Sequence, residues 1–155
     1  MLIKLKTDEN DLVILPTYMP PSGYIDEVEE VYEQVEEVMD TEKKNDNFII
    51  LGDWNAVVGK RQEGHTFGKN GLWVRNNRRQ RLIDFCKENE LIITNTFFQQ
   101  HPRRQYTWVK PGDTVRHQIE CIMVKKKYNI HVKQLKTYPG ADICSDHNVV
   151  VVKYN

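Results

Sequence analysis

The stretch Phe48-Ile49-Ile50-Leu51-Gly52-Asp53-Trp54-Asn55 joins an apolar run to a carboxylate and a carboxamide two positions apart. The run reads as a short strand buried on both faces, and Gly52 lets the backbone turn at its end. In open α/β sheets, ligands bind at the carboxyl ends of strands. Asp53 and Asn55 point the same way in an extended chain, so they suit a divalent cation or a water attacking phosphate. They equally suit an Asx turn, and these eight residues leave both readings open. Ser145-Asp146-His147 sets a carboxylate beside an imidazole, a pair that can bind metal and move a proton near pH 7, or simply a surface loop. Glu120 sits in the apolar run 118–124, where an acid needs a partner unless the strand turns it to solvent. A hydrogen bond with His147 would supply that partner and fix the imidazole tautomer. Tyr18 lies in a proline-rich loop at a strand end, where its hydroxyl reaches such a site or its ring packs.

Hydrophobic periodicity supplies the elements that must position these residues. Residues 12–15 read as a strand, and Pro16, Pro20, Pro21 and Gly23 then stop regular structure. Residues 24–44 form a helix with Ile25, Val28, Val31, Val35, Val38 and Met39 in one apolar stripe. Acids crowd its start, and Lys43-Lys44 close it, as the helix dipole favours. A helix between two strands is the βαβ pattern of an α/β fold. Gly59, Gly64, Gly68 and Gly71 make 56–74 a loop. A second helix covers 76–89, entered by Arg75, Arg78, Arg79 and Arg81, with Leu82, Ile83, Phe85 and Cys86 inward. Strands follow at 91–94, 105–109, 118–124 and 132–137, with a turn at 111–113, and 148–154 closes the chain as a core strand. Leu2, Ile3 and Leu5 suit an edge strand.

The chain has 155 residues, 39% hydrophobic and 28% charged, which fits one soluble domain and excludes a disordered chain. No apolar run approaches the ~20 residues of a membrane span, and the first residues are too short and charged for a signal peptide. Three widely spaced cysteines, Cys86, Cys121 and Cys144, read as reduced, buried thiols of an intracellular protein, nuclear or cytoplasmic. The net charge of zero hides a split. Residues 26–46 hold ten acids and two bases, whereas 60–136 hold seventeen bases and six acids. That pattern predicts an acidic solvent-facing helix and a basic surface with aromatics in it, suited to a polyanion. There is no G-x-S-x-G elbow, P-loop, dinucleotide fingerprint or zinc spacing.

Gly52-Asp53-Trp54-Asn55, Gln118-Ile119-Glu120-Cys121-Ile122, Ser145-Asp146-His147 and Thr17-Tyr18-Met19-Pro20, in that strand context, resemble the motifs of the endonuclease/exonuclease/phosphatase superfamily. Val57-Val58-Gly59-Lys60 and the stretch from Gly71 through Asn76 to Cys86 are similar to LINE-type retrotransposon endonuclease domains and the related craniofacial development protein 2-like proteins. The resemblance runs from about residue 11 to 152. It implies a four-layer α/β/β/α sandwich, here as one domain over 1–155 that lacks the first strands. That missing segment carries a glutamate metal ligand in the family. Glu120 stands where the family has an aspartate, and His117 and Cys121 also depart from its pattern.

The resemblance implies Mg²⁺-dependent phosphodiester cleavage, with Mn²⁺ as a substitute. Asp53 would orient or deprotonate the attacking water, Asn55 would bond to water or phosphate, and Asp146 would bind metal with them. His147, paired with Glu120, would contact the phosphate, and Tyr18 the phosphate or leaving oxygen. Trp108 lies where the family contacts nucleic acid, and Arg103, Arg104 and Arg116 would meet phosphates. The expected partner is DNA, not a membrane, with self-association through exposed sheet edges. Three function classes stay open: a retroelement-derived DNA endonuclease, an impaired remnant that binds nucleic acid or protein, and a phosphatase of the same superfamily.

Overall fold

A βαβ unit is the spine of the molecule. The computed structural model describes residues 1–21, 23–42, 45–59, 64–72, 76–112 and 114–155. Strand β1 (Ile3–Leu5) pairs antiparallel with β2 (Leu12–Tyr18), which leads through helix α1 (Ile25–Thr41) to β3 (Asn47–Asp53). Strands β2 and β3 are parallel, in register from Leu12↔Asn47 to Tyr18↔Asp53. Helix α2 (Arg79–Glu88), β4 (Leu91–Ile93), the short pair β5 (Trp108–Val109) and β6 (Arg116–His117), and β7 (Glu120–Lys125) follow. The last two strands, β8 (Val132–Tyr138) and β9 (Val149–Tyr154), pair antiparallel. The main sheet has the order β1-β2-β3-β7-β4.

Strand β3 is apolar from Phe48 to Leu51 because both its faces are covered there. Phe48 and Ile50 join Val13, Leu15, Cys121 and Met123 beneath Val28, Tyr32, Val35 and Met39 of α1 and Leu82, Ile83, Phe85 and Cys86 of α2. Ile49, Ile122 and Val124 face the other way, onto Val132, Leu135, Val150 and Val152 of the β8–β9 sheet. The layers are therefore helix, sheet, sheet. Among the described residues no α-helix covers the outer face of β9, whose Val149 and Val151 are 37% and 46% exposed. The run of valines at 149–152 is thus a half-buried outer strand rather than the expected core strand.

Pro16 lies inside β2, opposite Leu51, rather than ending it. Strand β1 pairs only as far as Ile14, so the missing N–H of Pro16 falls beyond its neighbour and costs no ladder bond. In α1 the buried positions are Val28, Tyr32, Val35 and Met39, whereas Ile25 is 75% exposed. Tyr32 packs its ring between Trp54 and Phe85, at 5.7 and 4.9 Å. Lys43 and Lys44, expected to close that helix, lie outside the described residues, as do Lys60, Arg75 and Asp113. Residues 105–107 are not strand, so the expected strand at 105–109 is reduced to Trp108–Val109. Cys86 and Cys121 are buried, but Cys144 is exposed in the loop before β9.

Gly52 is the tightest point of the spine. Its φ is +156°, and an added Cβ would lie 1.6 Å from the carbonyl oxygen of Thr17 on β2. The strand pairing that places Asp53 leaves no room for a side chain there. Gly52→Ala is therefore expected to cost about 3 kcal/mol through overpacking, read as a lower urea midpoint; an unchanged midpoint would contradict this packing.

Candidate active site

Sheet register sets the first part of the site. Asp53, the last residue of β3, lies opposite Tyr18 on β2 and opposite Glu120 on β7. One row across three strands thus carries three polar residues at one end of the sheet. Trp54 then turns inward and is 1% exposed, which contributes on the order of 2–3 kcal/mol of apolar burial. This anchors the chain between Asp53 and Asn55 while both of those line the cleft.

Asp53 Oδ1 accepts the backbone N–H of Asn55 at 2.8 Å, and Asn55 adopts the left-handed conformation with φ 48°. The Asx turn and the ligand-facing pair are therefore the same object. Asn55 Nδ2 donates to the carbonyl of Met19 at 2.8 Å, and the Met19 N–H donates to the Asp53 carbonyl, also at 2.8 Å. The carbonyl oxygen of the Asn55 side chain is the end available to a ligand. Burial pushes the Asp53 carboxyl above the usual carboxylate range, with the Asn55 N–H, His147 and Arg78 each drawing it partly back.

His147 enters from the loop before β9. Its Nδ1 is hydrogen-bonded to Glu120 Oε1, so Nε2 is the ring nitrogen left for other partners. Burial pushes Glu120 up, against the opposing pulls of Thr107 and His147. Burial alone would lower His147, but the hydrogen bond and charge of Glu120, with Asp146 and Asp53, outweigh it and hold the imidazole above its usual 6.5. Asp53, Glu120 and His147 can bring one ligand atom each within 4.8 Å of one another. Asn95 braces this corner, donating to the Glu120 carbonyl at 3.0 Å and accepting from the Ile122 N–H at 2.8 Å.

Trp108 forms the neighbouring wall. It bridges His147 through the backbone, donates from Nε1 to Asp146 Oδ2 at 2.8 Å, and stacks on the His117 ring at 5.7 Å with 3° between planes. A cleft of about 610 Å³ is lined by Tyr18, Asp53, Asn55, Trp108 and His147 from the expected set. Tyr18 is 64% exposed there, so it is no core residue. Glu120 stands behind His147, and exposed Asp146 lies beside it, with Oδ1 3.9 Å from Nε2. Arg103 and Arg104 are exposed in a short turn, and Arg116 lies 4.8 Å from the Tyr106 ring centre. None of these three arginines lines the cleft.

Asn76, Asn77, Arg78 and His117 also line the cleft, although sequence reasoning assigned them no role. The available signal was two adjacent asparagines and an arginine directly before α2. Their position against residues 53–58 is a tertiary contact that no periodicity announces.

The donors suit a hard divalent cation, which takes oxygen ligands and keeps several waters. Asp53 offers a carboxylate oxygen and Asn55 a carboxamide oxygen, with Asp146 beside His147. Glu120 Oε1 is committed to the imidazole.

A family model described as "Endonuclease-reverse transcriptase" matches residues 12–151. Craniofacial development protein 2 of Bos taurus is 39% identical over 145 residues, covering 93% of this chain and 24% of that protein. The chain thus spans about a quarter of the length of the curated relatives it matches. The endonuclease domain of TRAS1, a telomere-specific non-LTR retrotransposon, superposes with a TM-score of 0.68 at 17% identity, covering 99% of this chain and 62% of that one. The 3'-5' exonuclease NExo of Neisseria meningitidis gives 0.69 at 15% identity, covering 99% and 64%. At these identities the solved structures establish the fold alone, with this chain spanning less than two thirds of each. Among the described residues no helix is long and apolar enough to cross a membrane. Superfamily nucleases generally use divalent metals, which agrees with the acidic cluster at Asp53 and Glu120. The matched motifs, the register that gathers them and the family match over 12–151 together place this chain in the endonuclease/exonuclease/phosphatase superfamily, related to LINE-type endonucleases and craniofacial development protein 2.

Proposed function

We propose that this chain hydrolyses DNA phosphodiester bonds with Mg²⁺, as a retroelement-derived endonuclease domain. The observation that carries the reading is the placement of Asp53 and His147 in one cleft, with Glu120 behind the imidazole. Asp53, ionised, orients the attacking water and accepts its proton. Asn55 offers its side-chain oxygen beside it. Glu120 keeps the proton on Nδ1, and protonated His147 directs Nε2–H at a non-bridging phosphate oxygen. The Tyr18 hydroxyl serves the leaving oxygen. Bound by Asp53, Asn55 and Asp146, Mg²⁺ would neutralise charge developing on the phosphoryl oxygens. Support for a nucleic-acid substrate over a small phosphate ester comes from the Trp108–His117 stack at the cleft and from Arg103, Arg104 and Arg116 outside it.

A second reading is DNA binding without cleavage. It is favoured by the commitments of Glu120 to His147 and of Asp146 to Trp108, which leave Asp53 as the one carboxylate lining the cleft among the described residues. Nicking of supercoiled plasmid separates the two. The first reading expects Mg²⁺- or Mn²⁺-dependent nicking that Asp53→Ala and His147→Ala each reduce on the order of 100-fold or more. Salt-sensitive binding with no nicking in either metal would favour the second. Faster turnover of small phosphate esters than of DNA would favour a phosphatase.

Protonation gives a further check. The stability that the Glu120–His147 pair gains from a charged imidazole is fully present below the unfolded value near 6.5 and fades as pH rises through the higher folded value. The His147 ring resonances are expected to titrate above 6.5, and Glu120→Gln should move that midpoint down. An unmoved midpoint would show that Glu120 does not set the charge of the imidazole.

A further inference from the structure

Asn76 is an exposed asparagine just before α2, yet both ends of its carboxamide are used. Nδ2 donates to the backbone carbonyl of Asn55 at 2.6 Å, and Oδ1 accepts the backbone N–H of Val57 at 3.0 Å. It thereby spans the peptide groups on either side of Ala56, directly after a residue held at φ 48°. A left-handed asparagine costs on the order of 1 kcal/mol or more and persists only when its surroundings fix it. Its fixing contacts form a closed circuit. Asp53 Oδ1 holds the Asn55 N–H, Met19 holds the Asn55 side chain, and Asn76 holds the Asn55 carbonyl.

The residues next to Asn76 extend the same clamp. Arg78 donates to the carbonyls of Pro20 and Pro21, the latter at 2.7 Å, tying down the loop that follows Tyr18. Arg79, 8% exposed, donates from Nε to the Val58 carbonyl at 2.6 Å. The segment that starts α2 therefore grips two of the loops that carry cleft residues, those after β2 and β3, from outside the Asp53–Glu120–His147 group.

We infer that Asn76 is a positioning residue, which aims Asp53 and Asn55 by holding the backbone of Asn55 and Val57 from the start of α2. The consequence for rate rests on the proposed hydrolysis; the consequence for backbone order does not. Misplacement of a reacting group by about an ångström lowers rates on the order of 100-fold. Asn76→Ala removes both bonds, whereas Asn76→Asp keeps an acceptor for Val57 and loses the donor to Asn55.

The test pairs plasmid nicking in Mg²⁺ with amide hydrogen exchange, on the whole chain. Asn76→Ala is expected to lower kcat on the order of 10- to 100-fold with KM within about threefold and the urea midpoint nearly unchanged. Asn76→Asp should fall between it and the parent. Exchange at the Val57 amide should rise about tenfold or more in Asn76→Ala, remain slow in Asn76→Asp, and stay unchanged at Ile49 and Ile50 in both. If the parent protein does not nick DNA, the hydrolytic reading falls, and the Val57 exchange alone decides whether Asn76 holds the loop. Parent-like Val57 exchange in Asn76→Ala, or parent-like kcat in an active protein, would overturn the inference.

Discussion

The site depends on one constraint, the register of β3 between a parallel neighbour and an antiparallel one. Pairing with β2 sets Tyr18 beside Asp53, and pairing with β7 sets Glu120 on its other side. A slip of one residue in either pair would turn the whole strand over and send Phe48 and Ile50 out of the helix-side core. The burial of β3 on both faces therefore fixes the row of Tyr18, Asp53 and Glu120 as a by-product of fixing the core. Gly52 is the cost of that arrangement, because the backbone passes so close to Thr17 that a side chain has no space.

His147 is held differently. It comes from a loop rather than from the main sheet, and three attachments bring it to the row. Its ring meets Glu120, its backbone bridges Trp108, and the next residue, Asn148, donates its backbone N–H to the Thr107 carbonyl. Thr107 in turn accepts the N–H groups of Ile119 and Glu120 on its hydroxyl. Loops place functional groups well when a rigid scaffold positions them, and here the scaffold is the start of β7.

Part of the row was legible in the sequence: an apolar run ending in Gly-Asp-Trp-Asn marks a strand end with either a ligand-facing pair or an Asx turn, and an acid within 118–124 needs a partner unless it faces solvent. The pairing of Glu120 with His147 is the first of those two alternatives, and the hydrogen bond between them decides it. Less legible was anything decided by packing between elements. Ile25 and Tyr32 both fit a helical stripe, and only contact with Trp54 and Phe85 shows that the tyrosine is the buried one. Pro16 ended a strand in the sequence reading, since nothing local says that β1 stops two residues earlier. Asn76 was invisible for the same reason: its partners are backbone groups, and backbone groups have no sequence signature.

The charges at the cleft follow from this geometry. With Asp53 and Glu120 ionised and His147 protonated, the three together carry one net negative charge in a partly desolvated corner. Burial raises both carboxyl groups, so the charged state is held against a desolvation cost. His147 answers Glu120 directly, and Arg78 helps to lower Asp53 while its guanidinium is tied to the Pro20 and Pro21 carbonyls. Neither fully offsets the pair of carboxylates. An approaching phosphodiester, itself an anion, would add to the deficit, so binding it beside Asp53 calls for a cation at the same place. The oxygen donors of Asp53 and Asn55 stand where such an ion would relieve both charges at once, which links the electrostatics of this sheet end to the proposed hydrolytic reading of the cleft.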